Sequence, residues 1–476
     1  MKLATCRSAI HLLPLFLLLL AGCSSSPPKP SDSETTEPTK VEGKVRLLVV
    51  DDPALAAVIE RQWKARATNE LEVFSLTAVE LAGKKQLDAD AVIYPSGLLG
   101  ELAVANLIRP LPRETLESAE FQHDDLMKLP RGSEVSWGDE VYAVSLGSPQ
   151  YCLLYRNDLL TAAGLRVPQD WPAFQQVREL LSARPADLPD DQPWAPSLEP
   201  LSAGWASQSL LVRAAPYVRE PSRYSTLFNY RTMEPYIASP AFVQALKELA
   251  AACQDLPFEP AELTPERVLQ EFLAGHAAMA LDWPTAAIET DEPPPTAEFS
   301  MALAPGSPKV FNDRSGEWQT KSDPSLRQVP LLGVAGRSGS VTRESQHAAA
   351  AATTLAILSS TAWSKEIAAQ SPATTVYRNS QLGSVKAWLP APLQAESDRY
   401  AEVVSDSQYA RLTLFSPRIP GRSEYLAALD QAVWAVLKGD QSAEKALQQT
   451  ADEWSKITEK YGVESQVQAY KRSLGL

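Results

Sequence analysis

Histidine and cysteine are scarce in this chain, with 4 of each among 476 residues. So few imidazoles and thiols leave little for a metal site, and no His-Glu-x-x-His is present. Catalytic signatures are missing too: there is no Gly-x-Ser-x-Gly elbow and no phosphate-binding Gly-Lys loop. Positive charge is short, with 44 Lys and Arg against 58 Asp and Glu, a net charge of -14. Such a surface has no electrostatic reason to seek nucleic acid, and no basic stripe stands out. After the N-terminal segment no run of 18 apolar residues occurs, so no later span crosses a bilayer. What is present is a globular composition: 45% hydrophobic, 21% charged, with 11 Trp, 14 Tyr and 11 Phe to bury. The length allows about two to four domains.

The N-terminus reads as an address. Lys2 and Arg7 precede an apolar run from Leu12 to Leu20. It is too short for a stable span of roughly 20 residues but suits the core of a signal peptide. The closing Leu20-Ala21-Gly22-Cys23 resembles the lipobox of bacterial lipoproteins. That resemblance implies a signal peptide over 1–22 and lipid, palmitate included, on Cys23. An ordinary secretory signal or a short anchor is the alternative. Residues 23–43, rich in Ser, Pro, Thr, Lys and Glu, read as a lipid-anchored flexible tether. Two cysteines remain for the body, Cys152 and Cys253. An oxidising compartment permits a disulfide between them, while their apolar surroundings suit buried free thiols, and both readings stand.

The body starts with a strand at Val45–Val50, then a helix from Ala54 after Asp51-Asp52-Pro53. A strand at 71–74, a helix at 81–87, a strand at 90–94 and a helix at 98–104 follow. This alternation predicts a parallel sheet covered by helices. An apolar segment spans 141–155, and helices open at Asp170, Ser239-Pro240 and Thr264-Pro265. Residues 184–235 read as a partly ordered insertion and 305–328 as an exposed excursion. Strand character returns at 329–334, and an alanine-rich helix runs over 342–358. Two amphipathic helices close the chain, the first ended by Gly439 and the second capped by Ser442.

Four segments, in order, resemble bacterial extracellular solute-binding proteins of ABC transporters, in the large class with the maltose-binding members. They are Asp90-Ala91-Val92-Ile93-Tyr94-Pro95 with Leu107 to Leu111, then Val141 to Ser145 with Tyr155-Arg156-Asn157-Asp158-Leu159-Leu160 and its continuation to Trp171. Phe272 to Ala280 ending at Asp282-Trp283 is the third, and the final helix pair is the fourth. The resemblance implies an α/β, two-lobed periplasmic-binding-protein fold of type II, each lobe a mostly parallel sheet flanked by helices, with the ligand cleft at the hinge. It implies lobe one over 44–148 plus 296–366 and lobe two over 149–295 plus 367–476. The implied function is a non-enzymatic solute-binding subunit of an ABC importer. A carbohydrate is the expected solute, membrane permease subunits the partners, and the periplasmic or extracytoplasmic face of a membrane the place. A monomer without metal or cofactor is expected. The rival is an envelope lipoprotein using the same fold as a sensor or protein-interaction module.

A sugar needs aromatic platforms for its apolar faces and polar side chains for its hydroxyls. Trp283 matches the aromatic that stacks on sugar in many family members, with Asp282 beside it as an acceptor. A packed core or hinge residue is the alternative role for Trp283. Tyr94 and Ser96 end a strand, where α/β sheets present ligands, although Tyr94 equally suits the core. Tyr151 is cleft wall or hinge packing. Trp137 is a contact or a hairpin residue, and Trp205 and Trp388 are aromatic candidates from loops. Catalytic and metal residues are absent from this reading.

Overall fold

The computed structural model describes residues 43–67, 69–186, 188–289, 294 and 296–476. The signal segment, Cys23 and the tether up to residue 42 lie outside the described residues. The described residues form a single compact unit. Among the described residues no helix is long and apolar enough to cross a membrane.

The strands are, in chain order, β1 (Val45–Val50), β2 (Leu71–Leu76), β3 (Ala91–Pro95), β4 (Ser136–Trp137), β5 (Glu140–Val141), β6 (Val144–Gly147), β7 (Cys152–Arg156), β8 (Met279–Asp282), β9 (Phe299–Leu303), β10 (Lys309–Asn312), β11 (Glu317–Thr320), β12 (Leu331–Leu332), β13 (Arg337–Val341) and β14 (Leu414–Phe415). The helices used below are α1 (Pro53–Arg66), α2 (Leu99–Val104), α3 (Trp171–Leu180), α4 (Ala206–Val218), α5 (Pro240–Ala252), α6 (Pro265–Leu273), α7 (Ala348–Ser359), α8 (Thr361–Ala368), α9 (Ser397–Gln408), α10 (Arg422–Leu437), α11 (Ala443–Tyr461) and α12 (Val463–Ser473).

A five-stranded sheet, in the order β2-β1-β3-β13-β6, forms one half. β1 pairs in parallel with β2 and β3, as the strand-helix alternation predicts. Asp52 caps α1 through Leu55 N, and Pro53 opens it. The helix expected over 81–87 is instead Ala78–Leu81, a short turn capped by Thr77 and followed by Gly83 at φ +75°. The returning strand also differs from expectation. Only Leu331–Leu332 of the 329–334 run is a strand, and the sheet takes Arg337–Val341. That strand is polar in composition yet wholly buried, because its partners come from elsewhere: Arg337 Nε donates to Asp52 Oδ2 at 3.0 Å and Ser340 Oγ to Tyr142 O at 2.8 Å.

The second half holds the three-stranded sheet β8-β7-β9. Both neighbours run antiparallel to β7, so the expectation of a mostly parallel sheet in each lobe fails here. The cause is connectivity. β7 carries the chain in from the first sheet, and β9 lies beside it on the way back, so the two must oppose each other. Parallel bridges at Ala195↔Ala277 and Leu198↔Ala280 extend the edge.

The 184–235 stretch contains α4, buried at every residue. A helix buried all round has no polar face, which explains its weak periodicity. Its N-terminus is capped from α10: Asp430 accepts from Gly204 N at 2.6 Å and Ser207 N at 2.7 Å. Asp430→Ala is expected to cost about 1–3 kcal/mol for the buried Ser207 N–H left unpaired, read as a lower urea midpoint. The 305–328 stretch is a hairpin, β10–β11, rather than a free excursion. Val310 and Phe311 are buried, Trp318 rests edge-on against Tyr217, and Lys321 Nζ donates to Pro216 O at 2.6 Å, closing the end of α4.

Both cysteines are free thiols, which removes the disulfide expectation. Cys152 lies in β7 and donates to Asp282 O at 3.1 Å, while Cys253 ends α5 among Glu199, Arg213 and Arg178. The two thiols face different neighbours.

Candidate functional site

Pairing of β7 with β8 sets Cys152 opposite Asp282. Tyr151 and Trp283 each lie one residue beyond that pair and emerge at the same end of the sheet. Their rings meet edge to face with centroids 5.5 Å apart. Trp205, the residue before α4, tilts onto Trp283 at 5.6 Å. The Trp283 indole donates to Pro372 O at 2.8 Å. Asp282 is buried beneath: Oδ1 accepts from Trp283 N at 2.8 Å, and Oδ2 has no partner. Burial holds its carboxyl well above the usual carboxylate range. A protonated Asp282 offers a ligand hydroxyl both a donor and an acceptor.

This cluster sits where the chain passes between the sheets. Residues 148–151 link β6 to β7, and the segment after α8 passes beside them. Ser148 N donates to Thr375 Oγ1 at 3.3 Å, and Gln408 Nε2 to Ser148 O at 3.4 Å. Gly147 has φ +153°, and a Cβ there would lie 2.6 Å from Thr374 Cα, so the two links touch at a position only glycine fits. The cavity bounded by Tyr151, Trp283, Pro284, Gln150 and Tyr400 is ≈ 20 Å³, space for about one water.

The halves also meet away from these links. A Cβ on Gly100 would lie 1.9 Å from Arg418 O, and one on Gly97 2.5 Å from Arg422 Nε. Arg422 Nη2 donates across to Gly333 O at 3.1 Å. Glu134 is buried at this seam, and burial pushes its carboxyl up to about 7 against the opposing pull of Ser148, Arg418 and Gly333 N–H.

No family model matches the sequence, and no curated protein does. Solved structures do. An ABC transporter solute-binding protein from Agrobacterium radiobacter K84, in complex with ribitol, aligns at TM-score 0.66 and 19% identity, covering 88% of this chain and 100% of that one. One from Agrobacterium vitis S4 with bound D-mannitol aligns at 0.62 and 15%, covering 88% and 99%. Maltose-bound MalE3 of T. maritima aligns at 0.57 and 17%, covering 87% and 99%. The chain has the fold of the ABC transporter solute-binding proteins.

Within this solute-binding fold, four of the sequence candidates come together: Tyr151, Trp205, Asp282 and Trp283. Ser96 lies beside Gly336, close to the link at Gly147 and Ser148. It is buried with Oγ unpartnered, and Gly336 beside it presses on Gly147 and Ser148. Tyr94 does not join. Its hydroxyl is 2.7 Å from Ser340 Oγ inside the first sheet, which makes it a core residue. Trp137 is a hairpin residue packed on Gly100 and under Arg418, and Trp388 is buried in the 379–388 turn, so neither reaches the cluster. The residues that sequence reasoning missed are Gly97 and Gly100, Glu134 and Arg418. The spacing of the two glycines, three apart on one face, was the available signal.

Proposed function

We propose that the protein is the solute-binding subunit of an ABC importer, taking a carbohydrate or polyol between its two halves and delivering it to a membrane permease. The Tyr151–Trp283–Trp205 cluster over Asp282 at the links between the sheets carries this reading. Aromatic faces suit the apolar faces of a sugar ring, and Asp282 suits its hydroxyls. The same fold holds ribitol, D-mannitol and maltose in the proteins it resembles. Lobe one would comprise 44–148 plus 296–366 and lobe two 149–295 plus 367–476. The body would stand on the extracytoplasmic face, tethered through lipid on Cys23. Solute entry requires the halves to part, breaking Arg422–Gly333, and ligand would then favour a re-closed state.

Thermal unfolding against a panel of sugars and polyols tests this. A ligand at 100 times its Kd stabilises the fold by about 2.7 kcal/mol. The expected result is a concentration-dependent rise with one sugar or polyol, lost in Trp283→Ala. A folded protein that responds to none of them overturns the reading. One observation favours a sensor or protein-interaction module instead: the Trp283 indole is already committed to Pro372 O, and the space beside it admits about one water. That rival gains from the second outcome.

A further inference from the structure

A second cavity, of ≈ 220 Å³, opens where the β4–β5 hairpin, the chain after α4, the β14 segment and the end of α12 meet. It shares no lining residue with the Trp283 cluster. Arg219, Arg418 and Arg472 line it, and no carboxylate does. In a chain of net charge -14 that surround calls for a physical account.

Arg219 donates through Nε to Thr413 O at 2.9 Å and through Nη1 to Glu220 O at 3.4 Å. Burial lowers its pKa, and the groups facing it are Tyr470, Arg223 and Tyr224, with no acid among them. Nearby acids are engaged elsewhere: Asp313 pairs with Arg223, and the Glu220 carboxylate accepts from Ser222 Oγ at 3.0 Å. Arg418 is buried and donates to Ser133 O at 3.0 Å and Ser473 O at 2.7 Å, while its Nε has no partner. Burial pulls its pKa down to about 10, and Glu134 is the acid that faces it. Ser416 is fully buried with an unpartnered Oγ. Arg472 is exposed, and Tyr224, 67% exposed, presents an aromatic face.

A half-buried guanidinium that faces no acid, as at Arg219, and a buried hydroxyl without a partner, as at Ser416, each carry a desolvation cost. An oxyanion relieves both, by accepting from Arg and from Ser in charge-assisted hydrogen bonds. We infer that this cavity binds a small oxyanion, carboxylate or phosphate, carried on a hydroxylated scaffold of the kind a sugar acid or sugar phosphate provides. The hydroxyls of Ser136 and Thr226 on the wall suit the scaffold, and the Tyr224 ring suits its apolar face.

Calorimetry on the purified protein with inorganic phosphate, glucuronate, glucose 6-phosphate and glucose decides the matter. At least one charged probe is expected to bind more tightly than glucose and to weaken with added salt. The stronger of glucuronate and glucose 6-phosphate identifies the oxyanion. Arg219→Gln is expected to weaken that binding by at least about tenfold, the size of a lost charge-assisted hydrogen bond. Arg472→Gln, on an exposed side chain, should weaken it with the melting temperature unchanged, which separates loss of binding from loss of fold. Trp283→Ala should leave it intact, so this site and the sugar cleft stand or fall separately. Absence of binding by every charged probe, binding of glucose as tight as both glucuronate and glucose 6-phosphate, or loss in Trp283→Ala but not in the arginine variants overturns the inference.

Discussion

Arg213→Ala is expected to destabilise the protein by about 3–5 kcal/mol, the cost of leaving a buried carboxylate unpaired. Arg213 on α4 and Glu199 just before it are 1% and 2% exposed at their side chains. Two hydrogen bonds join them, one from Nη2 to Oε1 and one from Nε to Oε2, the second at 3.2 Å. The guanidinium also lies 4.3 Å from the Trp171 ring centroid and 5.2 Å from that of Phe174. Truncation removes the fork and the stacking together. Glu199, whose pKa burial already raises against the pull of Arg213, is then left to protonate or to force the fold open. Arg213→Lys should recover only part, because an ammonium cannot form the planar fork. The double variant Glu199→Leu, Arg213→Met should recover most of the loss, since apolar groups of similar volume carry no desolvation debt. Urea unfolding of the three variants provides the check. An Arg213→Ala protein as stable as the parent would show that Glu199 has found solvent or another partner. The effect reaches the candidate site, because Glu199 is among the charges that act on Tyr151.

Local chemistry was the legible part of this chain. Asp52-Pro53, Asp170 and Ser442 are helix starts in sequence, and each side chain accepts the expected backbone N–H. What escaped notice depends on residues far away in the chain. β13 reads as a loop because Arg337 and Ser340 are polar, and only Asp52 and the carbonyl of Tyr142 make them buriable. α4 hides because burial on all sides erases its period. The aromatic candidates divide for a related reason. An aromatic at a strand end looks the same in sequence whether it turns to the core, as Tyr94 does, or to the neighbouring strand's end, as Tyr151 does. Register decides, and register between β7 and β8 spans more than a hundred residues. Trp283 was legible through its family-like segment, while its bond to Pro372 was not. Glu134 had no local signature at all, since the groups that face its buried carboxyl, Ser148, Gly333 and Arg418, are far from it in the chain or carry no motif.

Glu134 leads to the second large effect, a loss of stability as the pH rises. In the fold its carboxyl titrates at about 7, against 4.5 for an ordinary glutamate, because burial disfavours the charged form. A folded pKa above the unfolded one means that the unfolded chain releases this proton first. The group's contribution is therefore fully present below about pH 4.5 and is lost as the pH climbs through 7. The gap corresponds to roughly 3 kcal/mol. Glu134→Gln keeps the size and hydrogen-bonding capacity of the side chain but cannot ionise. Its stability relative to the parent is expected to rise by roughly 3 kcal/mol between pH 4.5 and pH 8, measured as paired urea midpoints across that range. Asp282 is shifted in the same direction by burial and stays in both proteins, so the comparison isolates Glu134. Arg418 remains charged in both proteins, and its attraction for the ionised Glu134 is already contained in the pKa of about 7. Parallel curves for parent and variant would mean that Glu134 titrates normally and is hydrated. The location gives the effect a functional edge. Ser148 on the link between the sheets, Arg418 and the Gly333 N–H all favour the charged carboxylate, so the cost of charging Glu134 is its desolvation at the seam. Raising the pH through 7 should therefore favour any opening that lets water reach Glu134, as well as unfolding.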